Sequence, residues 1–118
     1  MREIRTDLGR LVISEEAVAA IAGAIALGTP GVAGMAPRGL ADILNRDPHA
    51  PLGRGVEVTP QGEGTADLTL DIMVVYGAQI QEVAAELEAR LRQELPAMTG
   101  IAAGRIAVRV QGVRRVDG

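Results

Sequence analysis

Apolar positions at the start of the chain recur at spacings that predict a strand followed by a helix. Residues 10–14 predict a short strand with three aliphatic residues at its centre, and from residue 18 the larger aliphatic residues return every three or four positions. Ser14 is suited to cap the N-terminus of this helix, and Gly28 with Pro30 is typical of a helix end. The face expected to be buried carries Val18, Ile21 and Ile25.

The second half of the chain predicts a hairpin, a long helix and a final strand. Alternation of apolar and polar residues marks strands at residues 56–59 and 67–76, joined by a turn at residues 61–64. In the longer strand the aliphatic side chains share one side, and the other side is expected to face solvent or a partner. The first set is Leu68, Leu70, Ile72 and Val74, and the second is Thr69, Asp71 and Met73.

A helix at residues 79–95 and a strand at residues 105–111 complete the pattern. The buried stripe expected on this helix contains Ile80, Val83, Leu87 and Leu91. Pro96 is expected to end the helix, because proline lacks the amide donor that a helix interior needs. In the last strand the side chains expected to face the core are Ile106, Val108 and Val110.

The middle segment, residues 31–55, has no regular pattern. One or two helical turns near residues 38–45 would place Leu40, Ile43 and Leu44 on one side, and the prolines and glycines that follow predict a mobile loop. The element order is β-α-β-β-α-β, with a right-handed crossover that makes the last two strands parallel. We predict one domain over residues 1–118 of the α+β class, in which helices pack on one face of a small mixed sheet.

Composition removes several kinds of chemistry. Cysteine and lysine are absent, which excludes disulfides, thiolate nucleophiles and a lysine Schiff base. Tyr76 is the only aromatic residue, so stacking on bases or flavins has little support, and the net charge of −3 argues against general binding of polyanions. No signal peptide is evident, and the longest apolar stretch, residues 17–27, is shorter than the ~20 residues that span a bilayer. We therefore expect a cytoplasmic protein.

No constellation of reactive residues stands out. His49 is the only histidine, and a zinc site needs three or four ligands, so an exposed loop residue is preferred to a metal ligand or general base. Asp67 and Asp71 lie on the polar side of one strand, where solvated positions are preferred to a catalytic carboxylate pair. We predict no catalytic residue, no bound metal and no cofactor.

Two features favour binding instead. Residues 28–31 and 31–34 each spell Gly-x-x-Gly, the loop with which KH domains clamp a nucleic-acid backbone. A helix end followed by a tight turn is preferred, since the next basic residue is Arg38, and a KH-like RNA-binding module is the alternative function. Near the C-terminus, a group of arginines forms either a basic stripe for an acidic partner, anionic lipid or RNA, or a solvated edge that blocks strand addition. These are Arg105, Arg109, Arg114 and Arg115.

Particular residues spread over nearly the whole chain point to a known family. The earlier ones are residues 9–14 and 16–23, Pro-Gly-Val-Ala-Gly-Met at 30–35, Gly39 and Leu40. The later ones are Leu-Asp-Ile-Met-Val-Val-Tyr-Gly at 70–77, Ile80, Glu82, Val83, residues 99–101, Ile106, Val108 and residues 110–113. In these positions the chain resembles the alkaline shock protein family, the small bacterial envelope-stress proteins.

The resemblance implies a non-enzymatic role in envelope homeostasis under alkaline or cell-wall stress. It also implies self-association and attachment to a membrane-anchored family member, and hence a peripheral position at the inner face of the cytoplasmic membrane. It supplies no catalytic residues. The residues that we expect to bind these partners are Met35, Leu40, Ile43, Leu44, Arg109 and Arg114.

Overall fold

Six strands and two helices make up the described part of the chain, which is residues 2–6, 9–36 and 54–115 of a computed structural model. The strands are β1 (Arg2–Thr6), β2 (Gly9–Ile13), β3 (Val32–Met35), β4 (Val56–Pro60), β5 (Thr65–Val75) and β6 (Ala102–Arg114). The helices are α1 (Glu15–Leu27) and α2 (Ile80–Thr99). The predicted α+β class and the order of the predicted elements are confirmed, while β1 and β3 are strands that the pattern did not predict.

β5 is the central strand of a four-stranded mixed sheet. β6 runs parallel to β5 along one edge, which confirms that the last two strands are parallel. The other edge of β5 is shared by two antiparallel strands, β3 beside residues 72–74 and β4 beside residues 66–70. β1 and β2 pair with each other in a separate antiparallel sheet.

α1 begins and ends where the sequence predicts. The hydroxyl of Ser14 accepts a hydrogen bond from a first-turn amide at 3.1 Å, which satisfies one of the amides that have no partner within the helix. The helix ends one residue before Gly28. Val18 and Ile25 are buried as expected, and Ile21 lies half-buried at the margin of the core.

α2 is longer than predicted. Pro96 lies inside the helix, which continues to Thr99, because the added turn buries Thr99 and lets its hydroxyl donate to the Leu95 carbonyl at 2.8 Å. Gly100 then ends the helix in a left-handed conformation with φ of 75°. Ile80 is 45% exposed and does not belong to the buried stripe, since it occupies the first helical position. The other predicted members of the stripe, Val83, Leu87 and Leu91, are buried.

One hydrophobic core lies between the helices and the sheet. The predicted aliphatic side of β5 is confirmed, because its four side chains are each at most 1% exposed. They are Leu68, Leu70, Ile72 and Val74. Ile106, Val108 and Val110 of β6 pack against this core while partly buried. Buried residues of α1 and α2 belong to the same cluster, so both helices cover one face of the sheet.

The middle segment is regular at its beginning, contrary to expectation. Residues 32–35 form β3, because the edge of β5 beyond β4 offers backbone groups with which they pair. The helical turns expected at residues 38–45, with Leu40, Ile43 and Leu44, lie outside the described residues, as does His49. Neither described helix is both long and apolar enough to cross a membrane.

Candidate functional site

The side of the sheet opposite α1 and α2, called the open face below, carries charged and polar side chains. On β5 it contains Thr69, Asp71 and Met73, which alternate with the buried aliphatic residues. Cross-strand partners lie on the same face of a sheet. Arg109 is the partner of Asp71. Arg114 is the partner of Val75, and both arginines therefore lie on the open face.

A bulge in β6 brings Arg114 onto the face of Arg109. The two residues are five positions apart, and regular alternation would place them on opposite faces. Two successive residues of β5 pair with Val110 and Gly112, so Gln111 is the additional residue. Arg105 lies at a second irregularity of this register, and its amide donates to the carboxylate of Asp67, so it lies at the open face beside Asp67. Arg105, Arg109 and Arg114 are called the arginine row below.

Asp71 is the one charged residue that is buried in the described part of the chain, with its side chain 2% exposed. Its Oδ1 accepts hydrogen bonds from Nε of Arg109 at 2.6 Å and from Nε2 of Gln111 at 3.0 Å. The Arg109 side chain is 54% exposed, so a surface cation holds a buried anion. The prediction that Asp71 faces solvent is wrong, because β6 supplies the charge and the hydrogen bonds that a buried carboxylate requires.

The backbone of Asp71 connects the two strands on the other edge of β5. Its carbonyl accepts a hydrogen bond from the amide of Ala36 at 2.8 Å, and its amide donates to the carbonyl of Gly55 at 2.9 Å. Ala36 follows β3 and Gly55 precedes β4. Gly55 has φ of 82°, and a Cβ there would lie 2.8 Å from the Ala36 carbonyl oxygen, so this close approach requires glycine. Asp71 therefore lies where strands from both edges of β5 meet.

The members of the arginine row differ in what holds them. Arg109 is held by Asp71, whereas the exposed side chains of Arg105 and Arg114 make no hydrogen bond or ion pair with described residues. Arg105 is fixed through its backbone, since its amide donates to Oδ1 of Asp67 at 2.8 Å. Two uncompensated cations therefore lie on the open face, at either side of a neutralised one.

Asp67 has partners of its own. Besides the Arg105 amide, it accepts a hydrogen bond from Nε2 of Gln61 on Oδ2 at 3.1 Å. Gly104 leaves the space for this carboxylate, because a Cβ at that position would collide with Oδ1 of Asp67. Asp67 and Asp71 are thus bound to different groups, and they do not form the close carboxylate pair that acid–base catalysis uses.

An open groove of about 640 Å³ lies beside Asp67, and its lining includes Thr69, Arg92 and Arg105. Nη1 of Arg92 donates to two carbonyls at the start of β6, those of Ala103 at 3.1 Å and Gly104 at 3.0 Å. Arg105 is therefore the cation of the groove whose side chain has no described partner. The described residues contain no group of three or more side chains that could hold a metal ion.

Tyr76 lies at the end of β5 and is 65% exposed. Its amide donates to the carbonyl of Arg114 at 2.8 Å, which continues the ladder between β5 and β6. The guanidinium carbon of Arg115 lies 5.3 Å from the centroid of its ring, within the range of a cation–π contact. Arg115 is therefore occupied by an aromatic ring, unlike Arg105 and Arg114.

The two Gly-x-x-Gly motifs serve packing in this fold. Gly31 has φ of 90°, and a Cβ there would lie 2.5 Å from Cγ2 of Val83, so glycine lets the turn after α1 approach α2. Gly34 lies within β3, where it pairs with Met73. Residues 31–34 therefore do not form the exposed loop that a KH-like clamp needs. Residues 28–31 form the tight turn that follows α1.

The residues predicted to bind partners separate into three groups. Arg109 and Arg114 lie on the open face. Met35 packs against the core instead, because its partner on β5 is the buried Ile72. Leu40, Ile43 and Leu44 lie outside the described residues. The sequence analysis did not identify Gln111 as a partner of Asp71 and did not predict that Asp71 is buried. The available signal was a carboxylate in the middle of an aliphatic strand, together with a last strand that carries arginines.

Comparison with known proteins agrees with the resemblance found in the sequence. The model of the alkaline shock protein 23 family, described as having a cell envelope-related function, matches residues 3–115. Two relatives come from Bacillus subtilis (strain 168) and are named as uncharacterized proteins. YloU is 34% identical over 117 residues, which covers 95% of this chain and 94% of the relative. YqhY is 31% identical over 111 residues, which covers 92% of this chain and 80% of the relative. No solved structure matches the chain.

Proposed function

Since the chain belongs to the alkaline shock protein 23 family, which has a cell envelope-related function, we propose that it acts there as a non-enzymatic interaction scaffold. In this proposal it binds further copies of itself and a membrane-anchored partner. The membrane-anchored partner, rather than the domain itself, then determines where the scaffold is held.

The observation that carries the proposal is the pair of exposed, uncompensated arginines on the open face. Arg105 and Arg114 have no described partner, although the same strand shows in Arg109 how such a side chain is neutralised within the domain. An acidic partner would supply the carboxylates that these two cations lack within the domain, and such charge complementarity guides association.

A binding role also agrees with the arrangement of the acidic groups. Asp71 is engaged by β6 and Asp67 by the Arg105 amide and Gln61, so each carboxylate supports the sheet. Catalysis by paired carboxylates would need one of them to face a cavity with a raised pKa. The proposal therefore assigns these acidic residues to the architecture and the free arginines to binding.

Affinity capture of the tagged chain from a mild-detergent extract of its own cells tests the proposal. We expect recovery of a membrane protein together with a second copy or another family member, and light scattering of the purified chain should give a mass above that of the monomer. Recovery of RNA at moderate salt without any membrane protein would overturn the proposal and favour an RNA-binding module.

The matched variants for this experiment are Arg114→Gln and Arg90→Gln. Arg114 is uncompensated on the open face, whereas Arg90 of α2 pairs with Glu86 at 2.9 Å and donates to the Gly28 carbonyl at 3.3 Å. Each variant removes one positive charge. Loss of the membrane protein with Arg114→Gln but not with Arg90→Gln is the expected result, and equal recovery with both would remove Arg114 from the binding surface.

A further inference from the structure

β6 forms one border of the sheet in the described part of the chain. It is 13 residues long, and β5 is the one described strand that pairs with it. Arg92 occupies the carbonyls of Ala103 and Gly104 at its beginning. From Arg105 to Arg114 the strand therefore offers an outward row of backbone amides and carbonyls, which is the structural requirement for adding a strand from another protein.

The occupied edge of β6 shows which kind of strand it pairs with. β5 alternates buried aliphatic residues with polar ones, and two of the polar residues are acidic. Asp67 accepts a hydrogen bond from the Arg105 amide, and Asp71 accepts one from the Arg109 side chain. β6 is thus matched on this side to a strand with aliphatic residues on one face and carboxylates on the other.

The outer edge of β6 offers the same combination. Ile106, Val108 and Val110 face the core yet remain partly exposed, because β6 has no described neighbour on its outer side. On the open face, Arg105 and Arg114 still lack carboxylate partners among the described residues. They are nine residues apart, which is about 30 Å along a strand.

We propose that the outer edge of β6 binds an extended segment of a partner protein in which acidic and aliphatic residues alternate. The aliphatic residues cover the exposed sides of Ile106, Val108 and Val110. The acidic residues pair with Arg105 and Arg114 across a length of about ten residues. This inference rests on the proposed function, since it specifies the chemistry of the scaffold's partner.

Pairing of β6 with β6 of a second copy is the less favourable arrangement. Residues 105–115 of this strand and its end contain four arginines and no acidic residue. Like charges on adjacent strands destabilise their pairing, so two copies of β6 repel each other where an acidic strand is attracted.

A fluorescein-labelled peptide of about ten residues, with Asp alternating with Leu and Val, is the direct probe for this edge. The controls are a scrambled peptide of the same composition and an analogue with alternate backbone amides methylated, which keeps the charges but removes strand hydrogen bonds. We expect fluorescence anisotropy to show binding of the first peptide alone. Equal binding of the methylated peptide would overturn strand addition, because it would show that charge alone is recognised.

Variants of the full chain then test the two arginines. Arg105→Gln and Arg114→Gln should each weaken peptide binding by about two- to fivefold, as expected for loss of an exposed ion pair, while Arg90→Gln leaves it unchanged. Amide exchange at residues 106–113 should slow when the peptide is bound. Equal effects of all three variants, or unchanged exchange in β6, would overturn the assignment to this edge.

The same measurements separate this inference from the proposed function. Vesicles with anionic lipid and a single-stranded RNA, used at the same salt concentration, should bind more weakly than the peptide, and stronger binding of either would overturn the inference. If a membrane protein is captured from cells while the peptide does not bind, the scaffold function stands and the β6 edge is the wrong surface.

Discussion

Replacement of Arg109 by methionine should destabilise the domain far more than an exposed arginine normally would. Methionine keeps most of the apolar length of the side chain but removes the cation that lies 2.6 Å from Oδ1 of Asp71. Breaking a fully buried ion pair costs about 3–5 kcal/mol, and a hydrogen bond to a charged group contributes about 1.5–3 kcal/mol. Because Arg109 is 54% exposed and Gln111 still donates to Asp71, we expect a loss of about 2 kcal/mol.

Urea unfolding followed by circular dichroism measures this free energy directly, from the shift in the midpoint at constant slope. For a domain of this size, about 2 kcal/mol corresponds to a fall in Tm of about 8 °C. The double-mutant cycle with Asp71→Asn should give a coupling energy of about 1–2 kcal/mol, because each single change removes the same ion pair.

Arg114→Met is the matched control for this prediction. It removes the same kind of side chain from the same face of β6, but Arg114 has no described ion pair, so its loss should change the free energy of unfolding by less than about 0.5 kcal/mol. If Arg109→Met and Arg114→Met are equally stable, or if the cycle gives no coupling, then Arg109 does not stabilise the buried carboxylate and our interpretation of the site is refuted.

Three other predictions concern the framework, each measured by the same unfolding assay. Gly31→Ala should cost about 1–3 kcal/mol more than Gly62→Ala, because both positions have positive φ but a Cβ meets a neighbouring side chain in the first alone. Equal losses would show that the close approach of the turn to α2 is unimportant. Ser14→Ala should cost about 1 kcal/mol through the lost N-cap bond, and an unchanged stability would contradict the cap. Leu91→Ala should cost about 2–5 kcal/mol, whereas Met98→Ala on the exposed side of α2 should be nearly neutral.

The sequence alone predicted the features that depend on a residue and its near neighbours in the chain. Ser14 has the side chain that a helix N-terminus needs, and the aliphatic side of β5 follows from period-2 alternation. Pro96 shows the limit of such rules. The lost amide bond argues for a helix end, but the burial of Thr99 and its hydrogen bond to the Leu95 carbonyl stabilise one more turn.

The strands that were missed depend on pairing rather than on their own pattern. β3 has four residues, of which one is glycine, and such a segment has little intrinsic tendency to form a strand. It becomes a strand because β5 is longer than β4 and leaves part of its edge available. Single-sequence patterns carry no information about which edge remains unoccupied.

The candidate site was only partly predictable for a related reason. The charge pattern of β6 identified Arg109 and Arg114 as candidates. It did not show that Arg109 is already paired with a carboxylate of the domain and that Arg114 is not. Asp71 removes Arg109 from the set of available cations, so reversing the charge at Arg109 would test the stability of the sheet rather than partner binding. This distinction needs the register between β5 and β6, which places Asp71 opposite Arg109.

The bulge at Gln111 connects this register to binding. If the same residues of β6 paired with β5 without the bulge, Arg114 would lie opposite Tyr76 and face the helices, and Arg105 alone would remain as an uncompensated cation on the open face. With the added residue, Gln111 also reaches Asp71, so the same irregularity completes the partners of the buried carboxylate. One local feature thus stabilises the centre of the sheet and sets two free arginines about 30 Å apart on the same face. Because the orientation of Arg114 and the support of Asp71 share this cause, a shift of the intact β6 sequence to pairing without the bulge would weaken both partner binding and the folded state.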